Sequence, residues 1–333
     1  MSGRDWLARN QVAVYAVAVL AAVALGLGRP AQDSTFEALI EPVLVVLLYV
    51  TFLEVPFVRL REAFADRRFL AAALGMNFLV VPAVVWTLTR FLAADPVVLV
   101  GVYMVLLTPC IDYVIAFTEL AGGDSGQVTA VTPALMVVQL LLLPAYLWLF
   151  MGRQVAAAIE PGPFVEAFLT LIALPLALAW VTEAWAERSE RGRRFQDTAG
   201  WLPVPMMAAT LLVVVASQLP RVRDSFDQIA AVVPIYVAFL VAMPLLARVV
   251  AGRLRLDVGS GRALVFTSVT RNSLVVLPLA LALPAGYELA PAVVVTQTLV
   301  ELCGMVVLTR VVPAWLVPDA SGRLSLPAAA RGD

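Results

Sequence analysis

Apolar residues run along this chain in blocks of about 20, separated by short segments that hold most of the charge. A helix of about 20 apolar residues spans a hydrocarbon layer ~30 Å thick, so the blocks predict membrane-spanning helices. The chain is therefore predicted to be an all-α polytopic membrane protein with ten transmembrane helices. The predicted spans are 11–28, 37–57, 69–89, 96–120, 127–151, 164–186, 201–219, 229–247, 263–284 and 291–316.

The composition agrees with a membrane protein and excludes several kinds of site. Hydrophobic residues make up 62% of the chain and charged residues 14%, whereas soluble proteins carry about 25% charged residues. The chain has neither histidine nor lysine, which excludes imidazole metal sites and a lysine Schiff base. Cys110 and Cys303 both lie in apolar spans and do not indicate a disulfide framework. We expect no metal site, no cofactor and no enzymatic centre.

The arginines are unevenly distributed between the two ends of the predicted spans. With the N-terminus in the cytoplasm, 17 of the 23 arginines fall in cytoplasmic segments. Cytoplasmic loops carry an excess of positive charge, so both termini are predicted to be cytoplasmic, in a cell membrane of bacterial type. The arginines form no nucleic-acid-binding pattern. The expected partners are membrane lipids and a small-molecule substrate.

The two halves of the chain share a spacing of polar, proline and glycine residues. A shift of about 162 residues superimposes the first five spans on the last five, and carries Cys110 onto Asn272 and Gln139 onto Glu301. Because five is odd, the second copy is inverted in the membrane, which predicts two inverted five-helix repeats. The predicted boundaries are 1–152 for the first repeat, 153–186 for the start of the second, 187–200 for a solvated cytoplasmic loop, 201–317 for the remainder of the second repeat and 318–333 for a cytoplasmic tail.

Two spans contain polar residues and helix breakers within otherwise apolar sequence. The fourth span is interrupted at Pro109 and continues with Cys110 and Asp112, and the ninth carries the polar run Thr267–Ser273 ahead of Pro278. Proline removes a backbone donor and clashes with the preceding turn. Polar side chains at mid-membrane depth face the interior of a bundle, and broken helices of this kind form transporter sites. The sequence therefore predicts two broken helices that together build a polar site.

Asp112 and Arg271 are predicted to lie at the same depth in the membrane. Asp112 lies eight residues before the cytoplasmic end of its span, and Arg271 lies eight residues after the cytoplasmic start of its own, which places both about 12 Å deep. If the two broken helices cross, these opposite charges can pair. The pair is either a structural ion pair or part of the site.

Glu301 lies near the middle of the tenth span without an opposite charge nearby in its own helix. A carboxyl group in such a place is a candidate for reversible protonation. The alternative is a carboxyl group held in place by hydrogen bonds from neighbouring threonine or glutamine side chains.

Cys110 likewise has two interpretations, because buried cysteine often acts as a small hydrophobic residue. Its neighbours Pro109 and Asp112 favour a functional role, whereas Cys303 has no such neighbours.

Several short motifs form one pattern along the chain. Pro109-Cys110 is followed fourteen positions later by Gly123-Asp124, the ninth span has a break at Asn272, and the tenth span contains Leu299-Val300-Glu301. This pattern resembles the arsenical-resistance (arsenite efflux) permeases, within the bile acid/sodium symporter-like superfamily. In that family the fourth-span cysteine and the glutamate of the last region are required for transport, so the resemblance implies these roles for Cys110 and Glu301. It also implies a ten-helix fold with a core domain, a panel domain and two crossing broken helices.

The chain departs from that family in its ninth span. Where family members carry an Asn-Asn pair followed by an acidic residue, this chain has Arg271-Asn272-Ser273-Leu274. Sodium-coupled relatives have an acidic and amide-rich cluster there, so the fixed cation of Arg271 argues against sodium coupling. Asp112 is also not expected directly after the family cysteine.

These residues predict a secondary transporter that exports trivalent arsenic in exchange for protons. Trivalent arsenic is soft, and thiol ligands select soft ions. The predicted substrate-binding residues are Cys110, Asn272, Thr108 and Ser273, and Glu301 is predicted to exchange the proton. The alternative is a sodium- or proton-coupled symporter whose organic anion is held by half-helix N-termini and Arg271. A membrane enzyme or sensor has no nucleophile–base pair or soluble domain to support it.

Overall fold

The computed structural model describes residues 3–27, 34–54, 66–91, 96–110, 113–158, 166, 169–283 and 286–319. Within these ranges the chain is helical, and its one β-type pairing is an isolated bridge between Pro109 and Arg271. The predicted all-α fold is therefore confirmed. The helices are α1 (Gly3–Leu27), α2 (Ser34–Glu54), α3 (Arg67–Gly75), α4 (Val81–Phe91), α5 (Pro96–Leu106), α6 (Tyr113–Leu120), α7 (Ser125–Ala158), α8 (Leu174–Arg188), α9 (Glu190–Ala199), α10 (Pro203–Asp224), α11 (Phe226–Ala230), α12 (Val233–Arg253), α13 (Val258–Val269), α14 (Ser273–Leu281) and α15 (Ala290–Val311), with π-helical segments at Met76–Val80, Leu169–Ala173 and Val312–Leu316.

Several of these helices are long and apolar enough to cross a membrane. In the described ranges four continuous helical stretches qualify, and up to six qualify if two bent helix pairs each count as one span. The polytopic membrane class is thereby supported. The four stretches are Arg67–Arg90, Leu169–Arg188, Phe226–Arg253 and Ala290–Leu316, and the bent pairs are Ser125–Gln139 with Leu141–Met151 and Glu190–Ala199 with Pro203–Leu219.

The outer surface of the helices is apolar. Leu20, Leu79, Leu141 and Trp315 each expose 70% or more of their surface. A soluble monomer rarely exposes apolar patches of large area, whereas a hydrocarbon layer covers such side chains. The exposed leucine and tryptophan side chains therefore mark the surface that faces lipid.

The helices pack as two groups. In the first group, α10 packs against α1 and α2, and α8 packs against α2 and α9. In the second group, α15 packs against α5, α12 and α14, while α13 packs against α3, α6, α7 and α12. The groups meet where α10 contacts α15 and where α14 contacts α2. The second group contains both of the segments that the sequence predicts to be broken.

The segment 187–200 differs from the solvated loop that its charges predict, because it contains the helix α9. Ser189 adopts an extended conformation and its hydroxyl accepts a hydrogen bond from the backbone N–H of Gly192 at 3.0 Å, which caps the first turn. Gly192 packs directly against the end of α8: a Cβ atom there would lie 2.7 Å from the carbonyl oxygen of Trp185. A serine cap and a contact that only glycine permits thus fold this charged segment back against α8.

Candidate functional site

Two helices are broken, and their breaks pair with each other. α5 ends at Leu106 and α6 begins at Tyr113, while α13 ends at Val269 and α14 begins at Ser273. Lipid offers no hydrogen-bond partners, so the freed backbone groups need partners inside the protein. The two extended segments supply them to each other in an antiparallel bridge between Pro109 and Arg271.

Two backbone hydrogen bonds flank this bridge. The N–H of Cys110 donates to the carbonyl oxygen of Thr270 at 3.1 Å, and the N–H of Asn272 donates to the carbonyl oxygen of Thr108 at 2.8 Å. Thr108, Cys110, Thr270 and Asn272 are all buried. The two breaks therefore form a single buried crossing, defined here as residues 107–110 and 270–272.

The guanidinium group of Arg271 holds the ends of both preceding half-helices. Nη2 donates to the carbonyl oxygens of Ser268 at 2.8 Å and Thr267 at 3.1 Å, and Nη1 donates to the carbonyl oxygen of Leu106 at 3.3 Å. These are C-terminal carbonyls of α13 and α5, where a cation is favoured by the helix dipole. Arg271 has no exposed surface, so its guanidinium is surrounded by protein groups and not by water.

The other contacts of the guanidinium come from more distant elements. Nη2 also donates to Oδ1 of Asn77 at 2.8 Å, and the guanidinium carbon lies 5.4 Å from the ring centre of Phe239 on α12. Asn77 lies in the π-helical segment Met76–Val80, and such segments often occur at functional sites. Asn77 was not among the predicted site residues, although an asparagine within an apolar span is a recognisable signal.

Glu301 on α15 lies in the same cluster and is also fully buried. Its carboxylate accepts hydrogen bonds from the backbone N–H of Arg271 at 3.0 and 3.2 Å, from the hydroxyl of Tyr113 at 2.6 Å and from Nε2 of Gln297. Glu301 also interacts electrostatically with Arg271. The carboxyl group has no opposite charge nearby in its own helix, but the crossing brings the charge of Arg271 to it.

A single peptide group joins the thiol segment to the carboxylate. The C=O of the Thr270–Arg271 peptide accepts from the N–H of Cys110, and the N–H of the same peptide donates to Glu301. Cys110 itself is buried, with 1% of its surface exposed, and interacts electrostatically with Arg271. Cys303 is exposed on the outside of α15. The structure thus brings Cys110, Arg271 and Glu301 together, and it leaves Cys303 apart from them.

Thr108 and Asn272 lie within the crossing. The Thr108 hydroxyl donates to the carbonyl of Met104 at 2.8 Å, and Oδ1 of Asn272 accepts from the N–H of Val275 at 3.1 Å, which caps α14. Asp112, the predicted ion-pair partner of Arg271, lies outside the described residues. Within the described ranges, the charged side chain brought to Arg271 is that of Glu301.

Some buried polar atoms at the crossing have no hydrogen-bond partner in the part of the chain that the structure describes. They are Nδ2 of Asn272, Oγ of Ser273 and Nε of Arg271. Ser273 lines a small cavity of about 20 Å³ between α10 of the first helix group and α14 and α15 of the second, together with Thr210 and Thr298. This volume has room for about one water molecule. Valine and leucine side chains form most of its lining, and Ser273, Thr210 and Thr298 are its polar residues.

Two larger cavities open along the same boundary between the helix groups. One of about 280 Å³ is lined by Glu41, Glu166 and the end of α14, including Pro278. The other, of about 440 Å³, is lined by residues of α2, α6, α7 and α9, including Thr129 and Gln196. The boundary therefore contains two larger cavities and a small one beside the start of α14.

The described residues contain no group of three or more histidine, cysteine, aspartate or glutamate side chains able to hold a metal ion.

A family model described as the sodium bile acid symporter family matches residues 41–225, more than half of the chain. The chain belongs to this family. Its members are transporters, so the predicted transporter class is supported at the family level. The matched region contains the first break, whereas the second break and Glu301 follow it. No match is found among curated proteins.

Proposed function

We propose that the chain exports trivalent arsenic, as arsenite or antimonite, in exchange for protons. The observation that carries this proposal is the peptide group of Thr270–Arg271, which is hydrogen-bonded to Cys110 on one side and to Glu301 on the other. A thiol segment and a carboxylate joined in this way cannot move independently. Binding of cargo at the thiol and loss of a proton at the carboxylate are therefore mechanically coupled.

The chemistry of Cys110 suits a soft metalloid. A thiolate is the form that binds such centres, and a guanidinium nearby stabilises it. Arg271 is the cation that interacts with Cys110. One thiol captures trivalent arsenic reversibly: the sulfur–arsenic bond replaces one arsenic–hydroxyl bond, and the hydroxyl leaves with the thiol proton as water. Transport requires binding weak enough for the reverse step to release the cargo. Asn272 and Ser273, with unpaired polar atoms beside the crossing, are the residues that would hold the hydroxyl groups of the cargo, with Thr108 completing the site.

Glu301 supplies the exchange of the proton. It would take up a proton on the outer side and lose it to the cytoplasm, where the incoming cargo engages Cys110. A carboxylate that accepts several hydrogen bonds is stabilised in its ionised form, whereas burial disfavours that form. Glu301 combines full burial with three donor residues, so burial and hydrogen bonding act on its ionised form in opposite directions.

The proposal includes a ten-helix architecture of two inverted repeats. A shift of 162 residues carries Cys110 onto Asn272 and Thr108 onto Thr270, so the same shift exchanges the two hydrogen bonds of the crossing. Exchange of this kind is expected of equivalent segments related by a two-fold axis in the membrane plane. The helix group of α5, α6, α13, α14 and α15 would be the core domain, and that of α1, α2, α8 and α10 the panel domain.

Alternating access follows from movement of the panel against the core. The three cavities lie along the boundary between these groups. The arginine distribution favours cytoplasmic termini in a bacterial-type cell, and in that orientation the cavity beside α9 would face the cytoplasm. The cavity that includes Glu41 and Glu166 would then face outward. The crossing lies between them and would be exposed to each side in turn.

A second candidate function is symport of an organic anion, which family membership favours. Nε of Arg271 and the N-terminus of α14 would hold the carboxylate. Sodium coupling is disfavoured by the same arginine. In broken-helix transporters the carbonyls at half-helix C-termini coordinate the coupling cation, and here Arg271 occupies the carbonyls of Leu106, Thr267 and Ser268.

Everted membrane vesicles distinguish the two functions. Export from the cell becomes uptake into the vesicle, so arsenite uptake is expected under an imposed proton gradient and absent under a sodium gradient alone. Glu301→Gln retains the size of the side chain but cannot release a proton, and is expected to abolish gradient-driven uptake. Uptake of a bile-acid-like anion driven by sodium, with no arsenite uptake, would overturn the export proposal in favour of the symporter.

A further inference from the structure

The hydroxyl of Tyr113 lies between two acceptors at the crossing. Its oxygen is 2.6 Å from Oε1 of Glu301 and 3.1 Å from the carbonyl oxygen of Arg271. Tyr113 is buried, and its ring lies edge-on to Phe117 at 6.0 Å. A phenol carries a single proton, so it can donate to only one of the two oxygens at a time.

The choice of acceptor depends on the protonation state of Glu301. An ionised carboxylate only accepts hydrogen bonds, and the 2.6 Å separation is the length expected of an O–H donating to a carboxylate. When Glu301 gains a proton, it becomes a donor itself. The new O–H can then donate to the oxygen of Tyr113, and the phenol proton is released to the carbonyl of Arg271. In the ionised state the phenol proton is held by Glu301, and in the protonated state it is held by the carbonyl of Arg271.

We propose that Tyr113 is the positioning residue that transmits the protonation state of Glu301 to the backbone of the crossing, at the carbonyl of Arg271. This inference rests on the proposed role of Glu301 in proton exchange. Tyr113 keeps its own proton throughout; the exchanged proton is carried by Glu301 and passes to water on whichever side is open. The carbonyl of Arg271 gains a donor only when Glu301 is protonated.

The surrounding groups make Glu301 the residue that changes state. The charged and titratable groups that the described ranges bring to Glu301 are Tyr113 on α6 and Arg271 at the crossing, with Cys110 interacting through Arg271. Gln297 on α15 adds a neutral donor. Arg271 is held by three carbonyls and by Asn77, so its charge is fixed.

The test is a pH titration of the purified protein in lipid by infrared difference spectroscopy, which detects the C=O stretch of a protonated carboxyl group. The wild-type band assigned to Glu301 is the one missing in Glu301→Gln. Tyr113→Phe removes the hydroxyl and keeps the ring. The ionised form then loses a charge-assisted hydrogen bond, so the titration midpoint is expected to rise by about one pH unit or more. The band itself should shift in frequency, because the O–H of Glu301 loses its acceptor.

Tyr236→Phe is the matched control. The Tyr236 hydroxyl donates to the carbonyl of Val293 at 3.1 Å, also on α15, and is equally buried. It does not contact Glu301, so neither midpoint nor frequency should change. If Tyr113→Phe fails to fold, wild-type protein with isotope-labelled tyrosine provides a second measurement. The C–O stretching band of the labelled tyrosine must then shift over the same pH range in which the carboxyl band titrates.

The outcomes separate this inference from the proposed function. If the carboxyl band titrates in the wild type but responds equally to Tyr113→Phe and Tyr236→Phe, the role of Tyr113 is refuted. Proton exchange at Glu301 is not refuted by this result. Absence of any titrating band that Glu301→Gln removes would refute proton exchange at Glu301, and the inference with it. Neither measurement requires a substrate, so the identity of the cargo does not affect the result.

Discussion

The two breaks at the crossing are held open by different means. The first contains Pro109, whose ring lacks an N–H and clashes with the preceding turn, so the helix is interrupted by covalent structure. The second break, Thr270–Asn272, contains no proline. It is held by side chains: Arg271 covers the C-terminal carbonyls of α13, and Asn272 caps the N-terminus of α14. One break is thus intrinsic to the chain, and the other depends on hydrogen bonds.

This difference indicates which break tolerates substitution. A break imposed by proline persists in many environments, whereas one built from hydrogen bonds fails when its donors are removed. The second break also holds the groups that contact Glu301 and the end of α5. Substitutions there should reduce both stability and transport, and substitutions at the first break should affect transport more than stability.

The largest expected effect is that of Arg271→Ala. It removes the cation from a fully buried cluster, leaving Glu301 and three half-helix carbonyls without it. Each buried carbonyl left without a donor costs about 1–3 kcal/mol, so the thermal midpoint in detergent should fall sharply and uptake should cease. Arg310→Ala, at an exposed site near the end of α15, is the control. An unchanged midpoint in Arg271→Ala would contradict a second break held by this side chain.

Pro109→Ala tests the first break. Proline disfavours a continuous helix by about 3 kcal/mol relative to alanine, so the substitution allows α5 to extend toward the crossing. Uptake is expected to fall substantially while the thermal midpoint stays near that of the wild type. Pro244→Ala serves as the control, because α12 continues through Pro244 without a break. A large loss of stability in Pro109→Ala, with normal uptake, would contradict the expectation that substitutions at the first break affect transport more than stability.

Asn272→Ala removes the cap of α14 and should cost about 1 kcal/mol. Asn272→Ser retains an oxygen that can accept from the N–H of Val275, so much of this loss should be recovered. Thermal unfolding in detergent measures both variants. Equal destabilisation by alanine and serine would show that the cap is not what Asn272 contributes.

The smallest effect is expected at Asp257, which caps α13 at the exposed end of the same helix. The side-chain and backbone hydrogen bonds from Ser260 lower the pKa of Asp257 below its usual value. A carboxylate with a lowered pKa stabilises the fold above the pKa of the unfolded chain, ~4, and loses this contribution as the pH falls through the folded pKa. Asp257→Ala should therefore lower the thermal midpoint slightly at pH 7 and progressively less below pH ~4.

The neutral cap at Asn272 provides the control for this pH dependence. An amide does not titrate, so the loss in Asn272→Ala should be the same at both pH values. If the loss in Asp257→Ala also stayed constant as the pH fell, the carboxylate would not be the group that caps α13.

The positions of both breaks follow from local sequence. Pro109 and the polar run Thr267–Ser273 interrupt apolar blocks, and the structure breaks both helices there. The all-α membrane fold follows in the same way from the length of the apolar blocks. Local composition also misleads: the charged segment 187–200 predicts a loop, but Ser189 and Gly192 allow it to form α9.

The partners within the site do not follow from local sequence. Asn77 is separated from Arg271 by 194 residues. The carbonyls of Leu106, Thr267 and Ser268 are backbone groups, which every residue has, so the residue types do not identify them as partners of Arg271. Arg271 was predicted to pair with Asp112, which lies outside the described residues. A fold brings together donors and acceptors from any part of the chain, so hydrogen-bond partners emerge only with tertiary structure.

The central claim is that the thiol at the crossing binds the exported cargo, and one measurement tests it directly. Arsenite uptake into everted vesicles is compared for wild type, Cys110→Ser and Cys303→Ser under the same proton gradient. The account predicts loss of uptake in Cys110→Ser, at normal protein level, and wild-type uptake in Cys303→Ser, whose thiol is exposed on the outside of α15. Undiminished arsenite uptake in Cys110→Ser would contradict the account.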